Sequence, residues 1–317
     1  MIRTPHDALF KHTFSDPQHA AVELRAVLPL ALTRQMDLDH LRVESGSYVD
    51  EALSERHSDL LYSVPFGARR ALVYVLFEHQ STVDALMPFR MLRYLVRIWD
   101  GWLRDHPEGT RLPLILPLVL YHGAQGWTAP LALQDLIDLE PAHLAEAQPF
   151  IPHFRLLLDD LSALSDDELR LRSASALVPL VLYLLKNARH DPQLVEHLHG
   201  WAQAFNAVWS APNGWKTFEA LIRYILQVSS TATAEKVEVM MEASVGAGAR
   251  EVVMTVAEQL MEKGERRLLM RLLQRRFGPL PTEVLARVER ADETMLERWA
   301  DEILFAESLD ALLAEPD

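Results

Sequence analysis

Residues 59–81 read DLLYSVPFGARRALVYVLFEHQS. Leu60 to Val64 has the pattern of a short apolar strand, and Pro65-Phe66-Gly67 begins a turn. Ala71 to Phe77 (ALVYVLF) is a continuous apolar run rich in β-formers, the signature of a strand buried on both faces. Taken as an antiparallel hairpin with its midpoint between Ala68 and Arg69, the segment sets Asp59 opposite Glu78. Directly opposite side chains share a face and stand about 5 Å apart. Gln80 shares that face if the strand continues; His79 points the other way, with its backbone carbonyl still available. Two carboxylates, a carbonyl and waters are the hard oxygen set that Mg²⁺ accepts, with Mn²⁺ or Ca²⁺ as substitutes. Polar residues ending a buried strand also sit where α/β proteins place ligands. The competing reading is a pair of charged strand ends in solvent.

Working outward, Ser15-Asp16-Pro17 starts a helix that runs through Ala20 to Leu28 and closes at Pro29. An extended region follows from about Leu38 to Val49. Pro88 opens a helix to about Asp105, Leu114 to Tyr121 is a second buried strand ending at His122-Gly123, and Phe154 to Leu158 is a further strand. From Ser165 onward the pattern is helical, with segments at 166–189, 191–209, 214–229, 250–276 and 281–315. This order predicts an α/β first half and an all-helical second half. The expected divisions are a core at 1–165, a helical extension at 166–230, a linker at 231–249, and a helical segment at 250–317. The Ala, Thr, Ser and Gly content of Thr231 to Ala249 marks the linker.

The chain has 317 residues, 49% apolar and 24% charged, an ordinary globular composition. It has no cysteine, which excludes disulfides and thiolate metal sites and fits a reducing cytoplasm. MIRTPHDALFKHTF lacks the apolar run of a signal peptide. Leu112 to Tyr121, the longest apolar stretch, is about half the ~20 residues that span a bilayer. No membrane association is expected. The net charge of −14 argues against nonspecific nucleic-acid binding. However, residues 1–130 hold 13 Lys/Arg against 15 Asp/Glu, a net of −2, which leaves −12 to the remainder. No GxxxxGK[ST] loop is present, so no nucleotide cofactor is expected, and there is no HExxH zinc spacing.

Asp59-Leu60-Leu61-Tyr62, Leu76-Phe77-Glu78-His79-Gln80-Ser81 and Met87-Pro88-Phe89-Arg90-Met91-Leu92-Arg93-Tyr94 together resemble the Rpn (YhgA-like) recombination-promoting nuclease and transposase family. His6 to Lys11 (HDALFK) is similar to its N-terminal signature, and Leu120-Tyr121-His122-Gly123 to its later strand. The resemblance covers roughly residues 4–210, and Arg271 to Leu313 is similar to the tail often attached to such proteins. It implies a PD-(D/E)XK (restriction-endonuclease-like) mixed sheet flanked by helices, DNA as substrate, a divalent metal, and a role in recombination or mobile elements. By matching positions Asp59 and Glu78 become the metal carboxylates, and Gln80 takes the place of the superfamily lysine. Glutamine carries no charge and cannot act as a base, but it can orient water. His57 shares the Asp59 face if that strand extends backward, which makes it a helper for proton removal.

Arg90, Arg93, Arg97 and Arg104 recur at helical spacing within an arc of about 60°. They either contact phosphates, with Arg90, Arg93 and Tyr94 nearest the site by family analogy, or form a solvated face. Asp7 and Lys11 either pair at i,i+4 or face the site. Glu23 is either a further metal oxygen or a solvated acid, and His122 either reaches substrate or packs at a strand end. The basic run Lys263 to Arg276 carries a seam of Leu268, Leu269, Leu272 and Leu273. That seam is read as a homodimer contact in preference to a DNA contact. Two rivals to a nuclease are a noncatalytic DNA-binding or assembly module and a nuclease toxin or phage-defence component.

Overall fold

A mixed five-stranded sheet organises the first half of the chain. The computed structural model describes residues 4–44, 59–78, 83–173 and 175–314, with the backbone alone for 74–78, 141, 144 and 145. The strands are β1 (Arg42–Val43), β2 (Leu60–Phe66), β3 (Arg69–Glu78), β4 (Leu114–Tyr121) and β5 (Leu157–Asp160), in that spatial order. The β1–β2 and β2–β3 pairs are antiparallel, and β3–β4 and β4–β5 are parallel. The helices before β5 are α1 (Pro5–Phe14), α2 (Pro17–Val27), α3 (Leu30–Thr33), α4 (Met87–Asp105) and α5 (Pro141–Ala147). After it come α6 (Asp166–Leu171), α7 (Leu177–Asn187), α8 (Leu194–Leu198), α9 (Ala202–Ser210) and α10 (Gly214–Val228). The chain continues through α11 (Ala234–Ser244), α12 (Ala247–Phe277), α13 (Thr282–Arg290), α14 (Glu293–Glu302) and α15 (Leu309–Leu313). No helix among the described residues is long and apolar enough to cross a membrane.

Strand alternation divides the interior into two layers. Leu60, Tyr62 and Val64 of β2, Ala71 and Val73 of β3, and Leu116, Leu118 and Leu120 of β4 join one core with α1, α2, α7 and α10. Leu61, Leu72, Ile115, Val119 and Tyr121 join the other, with Met87, Met91, Tyr94, Leu95 and Ile98 of α4. Parallel strands need a crossover, and α4 supplies the one between β3 and β4. Every residue of Leu177–Leu185 in α7 is buried, as expected of a helix apolar on all sides. Pro117 lies inside β4, yet β5 joins only from Leu118, so one side of the strand has no partner there to miss a backbone N–H.

The hairpin register differs from the expected one. Leu60 pairs with Val75 and Phe66 with Arg69, so continuing the register by one step sets Asp59 opposite Leu76 and not Glu78. The turn holds two residues instead of six, because Gly67 adopts φ 56° while Ala68 does not, the pattern of a tight type II′ hairpin. The offset is two residues and the strand period is two, so positions 59 and 78 stay in phase. They become diagonal neighbours, for which spacings of about 7–8 Å are usual.

Other expectations shift as well. Residues 231–249, read as a linker, contain α11 and the start of α12, whose Val237, Met240, Met241 and Ala249 are buried in the main core. That core runs from Leu9 to Val256 and crosses the expected boundaries near 165 and 230. A third core begins at Leu269. It contains Leu269 and Leu273 with Val288, Leu296, Trp299 and Ile303, and Leu272 packs against it, so three of the four leucines assigned to a homodimer seam face α13–α15 of their own chain, while Leu268 stays exposed. The helix expected over 281–315 is three helices, since Asp292 and Ser308 cap new starts through Met295 N and Ala311 N. The strand expected at 154–158 lies at Leu157–Asp160.

Gly67 has nothing within 4 Å of where a Cβ would stand, so a side chain there meets only backbone strain. Gly67→Ala is expected to cost about 1–2 kcal/mol in urea denaturation, and Gly67→Asn less than half of that, because Asn tolerates the left-handed region. Equal stability of all three proteins would contradict the two-residue turn.

Candidate active site

The carboxyl ends of the parallel strands and the start of β2 meet at one edge of the sheet. Glu78 ends β3 and pairs in register with Tyr121, which also pairs with Asp160 of β5. Asp59 directly precedes β2, half-buried, with its Oδ1 screened from solvent. His79, Gln80 and His57 lie outside the described residues, as does the side chain of Glu78. Among the described residues no three His, Cys, Asp or Glu side chains converge as a metal site.

Helix α4 begins a few residues beyond the end of β3. Asp84 accepts from Leu86 N at 2.9 Å and from Arg90 Nη1 at 3.4 Å, fixing the entry into the helix. Arg90 Nε donates to the Tyr94 hydroxyl at 3.1 Å, and the guanidinium stands over that ring. The arginine stripe therefore divides by depth. Arg90 and Arg97 are half-buried beside the buried Tyr94, whereas Arg93 and Arg104 are exposed. Helical geometry explains the order: at about 100° per residue, Arg90 and Arg97 lie nearer the Met91–Ile98 face than Arg104 and Arg93 do.

On the other side of the sheet, His122 is packed rather than open to solvent. It is 6% exposed, and its Nδ1 lies 3.0 Å from the Leu185 carbonyl, which can only accept. That contact assigns the proton to Nδ1. Its ring stands 4.9 Å from that of His6, and His6 Nδ1 lies 2.8 Å from the Tyr224 hydroxyl. Helix α1 thus brings a histidine to the end of β4, a contribution visible in the sequence only as the first residue of HDALFK. Asp7 forms a capping box with Thr4, accepting from Thr4 Oγ1 at 2.8 Å and returning its N–H at 3.2 Å. Lys11, one turn on, is half-buried, and no ion pair joins it to Asp7 among the described residues.

Glu23 is not a solvated acid. It is 4% exposed, and its Oε1 lies 3.3 Å from Arg172 Nη1. Arg172 Nη2 in turn donates to Asp159 Oδ1 at 2.6 Å, with Asp159 also 4% exposed. Two buried carboxyls share one guanidinium. Burial pushes the Glu23 carboxyl well above the ordinary carboxylate range, the charge and hydrogen bond of Asp159 push it further, and Arg172 opposes both. Nothing in the local sequence around Arg172 announces this contact, which joins α2, β5 and the end of α6.

A family model described as "Putative transposase, YhgA-like" matches residues 4–215. Among curated proteins, the chain is 32% identical to recombination-promoting nuclease RpnA of Escherichia coli K12 over 266 residues, 83% of this chain and 85% of that protein. It is 41% identical to recombination-promoting nuclease RpnD of Escherichia coli O157:H7 over 122 residues, 38% of this chain and 46% of that one. It is also 30% identical, over 82% of this chain and 83% of the relative, to RpnE of Escherichia coli K12, named an inactive recombination-promoting nuclease-like protein. No solved structure matches the chain.

The buried triad makes a prediction of its own. A carboxyl whose folded pKa is raised adds stability below the ordinary carboxylate range, and that stability is lost as pH climbs through the raised value. Glu23→Gln should therefore match the parent in melting temperature at acidic pH and exceed it increasingly toward alkaline pH. Arg172→Met should lose about 3–5 kcal/mol at neutral pH, since it leaves Asp159 buried without its cation. Thermal melts across pH check both. A Glu23→Gln protein weakened equally at every pH would show that no proton is retained at Glu23.

Proposed function

Because the chain belongs to the YhgA-like transposase family, we propose that it is a metal-dependent DNA endonuclease of the PD-(D/E)XK type. The single observation that supports the reading is that position 59, directly before β2, is in phase with position 78 at the end of β3 when the register is continued by one step. Both stand at the carboxyl edge of a parallel pair, the place where open α/β sheets bind ligands. The names of relatives RpnA and RpnD add recombination-linked nuclease activity.

The donor set fits a hard divalent cation: two carboxylates and a backbone carbonyl, with no thiolate and no histidine cluster. Asp59, Glu78 and the His79 carbonyl would hold it, with Mg²⁺ the natural choice and Mn²⁺ or Ca²⁺ as alternatives. When bound, such an ion neutralises charge on the scissile phosphate and acidifies water. Gln80 would orient the attacking water by hydrogen bonding; unlike a neutral lysine, its amide cannot take up the water's proton. The half-buried Arg90 and Arg97 would restrain the phosphate close to the carboxylates, and exposed Arg93 would meet the strand further out. Tyr94 would hold Arg90 in position. His122, packed against Leu185, would support the end of β4 more than touch DNA. A cytoplasmic setting is consistent with a chain that has no cysteine.

A second reading, a noncatalytic DNA-binding module, is favoured by two observations: glutamine stands at position 80, and RpnE, which matches 82% of this chain, is named inactive.

Supercoiled plasmid incubated with Mg²⁺, Mn²⁺, Ca²⁺ or EDTA tests the assignment. Nicking is expected with Mg²⁺ or Mn²⁺ and none with EDTA. Asp59→Asn and Glu78→Gln should each slow it by at least two orders of magnitude, about 3 kcal/mol, with melting temperature retained. Nicking by Asp59→Asn at the parental rate would sink the site. Plasmid binding without nicking in every cation would select the second reading.

A further inference from the structure

Helix α12 is 31 residues long and is shared between two cores. Its first half buries Val253 and Val256 in the main core, and its second half buries Leu269 and Leu273 in the C-terminal one. On its outer side Lys263, Arg267, Arg271 and Arg275 follow one another at i,i+4, and all four are exposed. At 1.5 Å per residue the stripe is about 18 Å long with a cation every ~6 Å. Four like charges in this spacing form three consecutive pairs of a kind that destabilises a helix. No acid occupies an i±3 or i±4 position of any of the four; those places hold Gln, Leu, Gly, Met, Pro and further cations.

The neighbouring arginines are treated differently. Arg266 is tied to Glu262 and to the Ala291 carbonyl, and Arg276 to the Ala306 carbonyl. Among the described residues none of the four stripe cations has an ion pair or hydrogen bond. In a chain of net charge −14, an acid-free cationic ridge is a local exception.

We infer that this ridge is a docking surface for the phosphate backbone of duplex DNA. It rests on the reading of DNA as substrate and adds a contact remote in sequence from the strand-end carboxylates. A polyanion with regularly spaced phosphates removes the repulsion between the four cations along the whole ridge. An 18 Å ridge covers about five base-pair steps at 3.4 Å each. Three of the four cations are arginines, whose forks match phosphate oxygens.

The test is fluorescence anisotropy of a labelled duplex of about 30 base pairs, in EDTA so that cleavage plays no part, over roughly 0.05–0.2 M salt. The variant Lys263→Gln/Arg267→Gln/Arg271→Gln/Arg275→Gln is compared with Arg34→Gln/Arg69→Gln/Arg111→Gln/Arg290→Gln. The second removes the same charge from scattered exposed sites. The ridge variant should bind at least about tenfold more weakly near 0.1 M salt, with a log–log salt slope shallower by about 3–4. The scattered variant should stay close to the parent. Circular dichroism should be equal for all three, and the ridge variant should melt no lower than the parent, since it is relieved of three like-charge pairs. Ridge and scattered variants that behave alike, or a parent protein that does not bind the duplex, would overturn the inference. So would a ridge variant that changes only self-association in ultracentrifugation, which would assign the ridge to a second copy of this acidic chain. The nuclease reading fails separately: a parent that binds through the ridge but never nicks plasmid defeats that reading alone.

Discussion

The parallel pairing of β3 with β4, from Ala71↔Leu114 to Glu78↔Tyr121, is the constraint on which the rest of the molecule depends. Antiparallel neighbours can be joined by a tight turn, but a parallel pair requires the chain to travel back across one face of the sheet. The return covers one face with α4 and obliges both strands to be apolar on either side. The opposite face must then be covered too, and α1, α2, α7 and α10 join the core there. The same pairing aligns the carboxyl ends of β3, β4 and β5 at one edge. Polar residues that interrupt such strands emerge there together, whatever their separation in the chain.

Charge is managed differently on the two faces of that edge. On the α4 side, Arg90 and Arg97 are only half-buried, each within reach of water. On the α2 side, Arg172 is held between two almost fully buried carboxyls. A guanidinium held between Glu23 and Asp159 ties helix α2 to β5. The acid on α2 is thus an interior one, its carboxyl pushed up by burial and by Asp159, where its residue type suggested a solvated surface.

Much of the architecture could be read from residue patterns because the relevant signals are local. Ala71 to Phe77 and Leu114 to Tyr121 are uninterrupted apolar runs, and they became the two central strands. Asp16-Pro17 marks a helix start that the structure keeps, with Asp16 accepting from Gln18 N. What escaped was set by one torsion angle or by contacts between distant segments. The hairpin register turned on φ at Gly67, which moved the partner of Asp59 from position 78 to position 76. Thr233 caps α11 through Lys236 N, but the surrounding Ala and Ser suggested a linker; burial of Val237 and Met241 decided the matter. The leucine seam of α12 was correctly apolar, but the sequence of a helix does not say whether the surface it meets is another copy or its own C-terminal segment. His6 and Arg172 were missed for the same reason, since their partners lie far away along the chain.

His6 and Tyr224 are 218 residues apart, yet they lie 2.8 Å from each other, and α1 packs against α10. Helix α1 leaves the ribosome well before α10 and can complete its packing only once that helix follows. At typical elongation rates of 5–20 residues per second, Leu9, Phe10 and Phe14 wait on the order of 10–40 s for α10 to be synthesised. During that interval α2 and Tyr62 can already pack on α1, but the face that meets α10 has no native partner in the nascent chain. The length of that exposure is set by elongation rate, and it shortens as translation quickens.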